Sequence, residues 1–126
     1  MFAGRSVLII ETEFLIGLAV QDALQGHDAA EILLTANPAD VWSLRERWPE
    51  LAMAVIEVEL GADDLRDAAQ ALLAAGIPVL GISADTRLAD GVADLPGVPI
   101  LIKPVPDADL RRAVEALLAK SHDSRT

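Results

Sequence analysis

Four short segments carry the residues able to do chemistry, and each closes an apolar run. Glu11, Thr12 and Glu13 follow the first run; Glu57 ends the third, with Glu59 two positions on. Ser83 and Ala84 end the fourth, and Lys103 and Pro104 the fifth. Carboxylates, a hydroxyl and a lysine brought to one place can hold a cation or form an internal salt bridge. A nucleotide site is excluded on residue type. A dinucleotide turn needs a glycine-rich loop after the first strand, so that a pyrophosphate can approach the helix N-terminus. Here that turn is acidic, with no glycine before Gly17, and it holds neither a P-loop lysine nor the hydroxyl-rich loop of an FMN site. The chain has no cysteine, which removes disulfides, thiolate metal sites and cysteine nucleophiles.

The elements that position these residues are legible in the hydropathy. The runs 7–10, 31–35, 51–56, 77–82 and 98–102 read as strands, most of them apolar on consecutive positions. That pattern belongs to a parallel sheet covered on both faces. Helical spacing lies between them: Leu15, Leu18, Ala19 and Val20 up to Gly26, then Val41, Leu44 and Trp48 after an Asn37 cap and Pro38. A third stripe joins Leu65, Ala68, Ala69, Leu72 and Leu73 and closes at Gly76; the last holds Leu110, Ala113, Val114, Leu117 and Leu118. Leu88, Val92 and Leu95 also have helical spacing, but Gly91 lies inside and Pro96 ends the segment, so a short or frayed helix is expected. The fold class is α/β, a flavodoxin-like, doubly wound (βα)5 domain on a five-stranded parallel sheet. In such a sheet ligands bind beyond the carboxyl ends of the strands, at the switch in strand order. The four chemical segments fall there. One domain is expected over 1–126, with its core at about 5–120 and a loose tail at 121–126.

Composition agrees. Of 126 residues 52% are hydrophobic and only 3% aromatic, so the core is built from aliphatic side chains. A net charge of −10, with Arg111 and Arg112 the one adjacent basic pair, speaks against nucleic acid as a partner. No apolar stretch approaches the ~18 residues of a membrane span, and residues 1–6 lack a signal peptide's apolar region, so a cytoplasmic protein is expected. Trp48 reads as core and Trp42 as an exposed contact residue. His27 suits a helix end, His122 falls in the tail, and the compact ending after Lys120 favours a free-standing domain.

With those segments in place, the chain resembles a receiver domain of two-component response regulators over residues 5–120. The likeness rests on VLIIETEFLI from Val7 to Ile16, IEVELG from Ile56 to Gly61, GIPVLGISA from Gly76 to Ala84, and LIKPV from Leu101 to Val105. The resemblance implies a mechanism in which two acids and an acceptor aspartate hold Mg²⁺ and the aspartate is phosphorylated. The lysine and hydroxyl then bind the phosphoryl oxygens and draw the fourth loop inward. Glu11, Ser83 and Lys103 match that pattern. Thr12 stands at the second metal-binding acid, Glu57 at the acceptor aspartate, and Ile100 where many receivers carry an aromatic switch; the segment 57–83 is also short. A neutral hydroxyl is a poor Mg²⁺ ligand. The extra methylene of Glu57 moves its carboxylate by about a bond length, which is costly in a positioned reaction.

The resemblance therefore implies a degenerate receiver, not an enzyme, with no cofactor. Glu57 is expected to reach toward the phosphoryl space and pair with Lys103, partly mimicking an acyl phosphate, and Lys103 to form an ion pair with Glu57 or Glu11. The implied partners are a histidine kinase, a phosphotransfer protein or another regulator. They are met through Leu15 and Ile16 or through the face of the last strand and the helices beside it, including Ile100 and Arg111. A monomer or weak homodimer is expected. The alternative is a working phosphoacceptor that uses Glu57 or Glu59 with Mg²⁺ held by Glu11 and Glu57. A flavodoxin-like small-ligand module is a third reading, against which the acidic first loop counts.

Overall fold

The computed structural model describes residues 1–124 of the chain. Its strands are β1 (Ser6–Ile10), β2 (Ile32–Thr35), β3 (Leu51–Glu57), β4 (Val79–Ser83) and β5 (Ile100–Ile102), and its α-helices are α1 (Phe14–Leu24), α2 (Asp40–Ser43), α3 (Asp63–Ala74) and α4 (Asp107–Ser124). The strands form one sheet in the order β2-β1-β3-β4-β5, every pairing parallel. The order reverses at β1, so the crevice between the ends of β1 and β3 is the switch point.

The consecutive apolar residues serve two cores because successive side chains leave opposite faces of a strand. Leu8, Ile10, Ala54 and Ile56 pack on one face with Trp48, Leu65, Ala68 and Leu72. Val7, Ile9, Met53, Val55, Leu80 and Ile82 pack on the other with Val20, Leu24, Leu110 and Val114 of α1 and α4. Each fully buried aliphatic side chain of this kind contributes roughly 1.5–3 kcal/mol.

Two helices differ from the sequence expectation. The second shrinks to the single turn of α2, followed by a 3₁₀ segment at Arg45–Glu50. Pro49 accounts for this, since it offers no N–H to an α-helical ladder. Val41 and Trp48 are nonetheless buried as expected, and the Trp48 Nε1–H donates to the Val41 carbonyl at 3.2 Å. Between β4 and β5 there is one 3₁₀ turn, Thr86–Leu88, in place of a helix. Gly91 adopts φ +110° there, which no helix contains, while Leu88 and Leu95 still reach the core. The closing helix continues over 121–124, where a loose tail was expected, and takes in the backbone of His122. The rest of that expected tail, 125–126, lies outside the described residues.

Candidate functional site at the switch point

All four chemical segments meet at the carboxyl edge of the sheet. Glu11 follows β1 and is fully buried, at 0% exposure. Helix α1 passes close above it: a Cβ on Gly17 would stand 3.5 Å from the Glu11 Cβ and 2.8 Å from Leu34 Cδ1, so a larger residue there would make the Leu34 side chain shift. Lys103 leaves the end of β5 with its side chain 6% exposed. Its Nζ lies 2.9 Å from Glu11 Oε1, 3.4 Å from Glu13 Oε1 and 3.6 Å from Glu57 Oε2.

The expected Lys103 ion pair is therefore formed mainly with Glu11, and Glu57 is the most distant of three acids. Glu57 turns instead toward β1. Its Oε1 accepts the Thr12 backbone N–H at 2.9 Å and the Thr12 hydroxyl at 2.5 Å. Glu11 Oε1 also accepts the Glu13 N–H at 3.1 Å, while Glu11 Oε2 is buried without a hydrogen-bond partner.

This arrangement separates the two buried acids. Burial, with the Glu57 charge adding to it, pushes the Glu11 carboxyl up to about 7 against the opposing pull of Lys103 and the Glu13 amide. Burial also raises Glu57. There it is outweighed by the two hydrogen bonds from Thr12 and by the Lys103 charge, which hold that carboxyl below its ordinary value. Burial disfavours the Lys103 ammonium, but its bond to Glu11 and the surrounding carboxylates more than compensate and raise it.

Carboxylate oxygens of Glu11, Glu13 and Glu57 lie within 4.8 Å of one another, the spacing of a cation site. The set does not fit the Mg²⁺ arrangement that the resemblance implies. The Lys103 ammonium already stands among the three carboxylates, and Thr12 spends its hydroxyl and amide on Glu57 instead of presenting a charged ligand. Mg²⁺ demands near-octahedral oxygen coordination and several retained waters.

Ser83 lies on the other side of the crevice and is fully buried. Its Oγ accepts the Asp85 N–H at 3.0 Å and donates toward Glu59 Oε2 at 3.4 Å; Glu59 Oε1 accepts the Ala84 N–H at 3.1 Å. Glu59, considered from sequence only as an alternative acceptor, thus occupies the β4 end of the site. Its position two residues past the end of β3, next to β4 in the sheet, was the available signal.

Of the expected partner-surface residues, Leu15 is 79% exposed, Ile16 is half-buried and Arg111 is half-buried on α4. Ile100 is corrected: it is 7% exposed, and its Cδ1 would stand 2.4 Å from a Cβ on Gly81, so it fills the space that glycine leaves. Leu15 and Ile16 border a cavity of about 440 Å³ shared with Val105, Asp107 and Leu110. Trp42 is exposed as expected, stacked at a tilt on Trp48, with the Arg45 guanidinium over both rings.

The arrangement is a parallel α/β sheet with acids, a hydroxyl and a lysine at its switch point, and solved structures share its fold. A response regulator receiver protein from Burkholderia phymatum superposes with TM-score 0.77 at 17% identity, over 91% of this chain and 95% of that one. The signal receiver domain of a putative Luxo repressor protein from Vibrio parahaemolyticus gives TM-score 0.76 at 14% identity, over 96% and 95%. The signal receiver domain of a modulated diguanylate cyclase from Desulfovibrio desulfuricans G20 gives 0.73 at 23%, over 95% and 98%. The chain has the receiver-domain fold. No protein-family profile and no curated protein sequence matches it. No helix among the described residues is long and apolar enough to cross a membrane.

Proposed function

We propose that this chain is a receiver-type signalling module that works by binding a protein partner without being phosphorylated. One observation carries the reading: the carboxylate at the acceptor position is already engaged. Glu57 Oε1 accepts two hydrogen bonds from Thr12, and Oε2 faces the Lys103 ammonium. Both contacts withdraw charge from a group that would have to attack a phosphoryl donor, and the lysine that would bind the transferred group is committed to Glu11.

The partner in this reading is a histidine kinase, a phosphotransfer protein or another regulator in the cytoplasm. It docks on the α1 end of the molecule, where Leu15 and Ile16 line the apolar cavity and Phe14, the first residue of the helix, is 61% exposed. Exposed apolar side chains gathered at a concave site suit an anchor residue from a partner.

Intact-mass spectrometry after incubation with Mg²⁺ and acetyl phosphate tests the reading, with an Asp-bearing receiver as control and rapid cold work-up. The expected result is no added phosphoryl mass in this protein beside a labelled control. A gain of one phosphoryl mass would overturn it and make Glu57 or Glu59 the acceptor to map.

A further inference from the structure

The Ser83–Ala84 corner of the site is filled from within the chain. Glu59 comes from the turn after β3, and its two carboxylate oxygens divide two donors at the end of β4, the Ala84 N–H at 3.1 Å and the Ser83 hydroxyl at 3.4 Å. Ser83 Oγ in turn accepts the Asp85 N–H, and Asp85 opens the 3₁₀ turn at Thr86–Leu88 by accepting the Arg87 N–H at 2.9 Å. Glu59 is thus the first link of a chain of hydrogen bonds that runs out along the loop after β4. The Lys103 ammonium stands outside it, paired with Glu11, Glu13 and Glu57, while the Lys103 backbone N–H donates to the Ser83 carbonyl at 2.8 Å.

A carboxylate is a planar anion with two acceptor oxygens, well matched to a hydroxyl and an amide on adjacent residues. Without Glu59 these donors would need another acceptor, and a tetrahedral oxyanion offers the same chemistry. We propose that Glu59 is an internal anionic ligand of the Ser83–Ala84 corner, holding the loop after β4 and excluding an external tetrahedral oxyanion. The assignment deepens the binding-module reading, on which its signalling meaning rests: Glu59, not phosphate, sets the loop conformation a partner meets. The contacts one acyl phosphate would make are divided, with Glu57 on the lysine side and Glu59 on the hydroxyl side.

The test is amide hydrogen exchange and inorganic phosphate titration, followed by NMR on the full chain as wild type, Glu59→Ala and Glu59→Gln. In Glu59→Ala the Ala84 amide is expected to exchange on the order of tenfold faster, while Val58 and Gly81, bonded to the carbonyls of Ile82 and Pro99, keep their rates. Glu59→Gln, which retains one carbonyl acceptor, falls between and serves if the alanine variant does not fold. Phosphate is expected to shift the Ala84 amide saturably in the variant and not in the wild type. Ala84 exchange unchanged by both substitutions, or an equal phosphate response in variant and wild type, would overturn the assignment. Neither result depends on phosphorylation: a phosphoryl mass gained by the wild type would sink the functional reading and leave the Ala84 comparison standing.

Discussion

Thr12 donates both its backbone N–H and its hydroxyl to one oxygen of Glu57, at 2.9 and 2.5 Å, and so ties the end of β1 to the end of β3. A threonine where a second acid would be expected is a fitted partner for the longer carboxylate opposite it. Thr12→Val keeps the shape and the amide bond but removes the hydroxyl. A net hydrogen bond to a charged group contributes about 1.5–3 kcal/mol, less where water reaches it, so a loss of about 1 kcal/mol is expected in urea unfolding. Thr12→Ser should recover most of it. Equal stability of the valine variant and the wild type would mean that the hydroxyl does not hold Glu57.

Lys103 is a heavier commitment, because its ammonium is the shared counter-charge of two buried acids. Lys103→Met leaves Glu11 and Glu57 facing each other in a poorly hydrated crevice. Breaking a buried pair by removing one partner costs about 3–5 kcal/mol, far more than the pair itself contributes. Adding Glu11→Gln to Lys103→Met should return a large part of that loss, since it removes an acid that would otherwise have to take up a proton to stay buried. A double variant as unstable as the sum of the singles would refute the pairing.

The sheet was legible because burial on both faces writes itself into sequence as consecutive aliphatic residues, and Val7–Ile10 and Leu51–Ile56 are wholly buried. Helical spacing was a weaker guide. The spacing of Leu88, Val92 and Leu95 was real, and Leu88 and Leu95 are buried, but Gly91 at positive φ lets a loop deliver them to the same core. The convergence of the four chemical segments was legible because strand ends in a parallel sheet meet on one edge whatever lies between them. A Lys103 pair with Glu57 or Glu11 was also expected, but which acid each donor favours was not legible, because hydrogen-bond choice among four carboxylates depends on distances of about an ångström. Nothing in the residue types says that Lys103 prefers Glu11, that Glu57 turns to Thr12, or that Glu59 reaches Ala84.

The two buried acids make stability depend on pH in opposite senses. Glu11 is raised from 4.5 to about 7 in the folded chain, so between those values the folded state holds a proton that the unfolded state has released. Stability from this group therefore falls as pH rises through that window. Glu57 is lowered, so its contribution is present above the unfolded value and is lost as pH falls through the folded one. A stability maximum on the acid side of neutrality is expected. Urea midpoints measured from pH 5 to pH 8 should decline, and Glu11→Gln should flatten that decline. A wild-type profile that climbs across the range would contradict the burial argument.

Magnesium separates the fitted site from a conventional receiver site most directly. A ligand bound only by the folded state stabilises it by RT ln(1 + [L]/Kd), about 1.4 kcal/mol at roughly tenfold excess over Kd. With Lys103 among the carboxylates and Thr12 uncharged, Mg²⁺ should raise the melting temperature no more than an equal ionic strength of Na⁺. In the double variant Thr12→Asp, Glu57→Asp, the shorter acceptor and the added acid release the Thr12 contacts and supply a second charged ligand. That variant should be less stable without Mg²⁺, because like charges crowd the crevice, and should gain stability as Mg²⁺ is added. A wild type that Mg²⁺ stabilises as strongly as the double variant would show that the ammonium yields to the metal, and the phosphoacceptor reading would then have its cation.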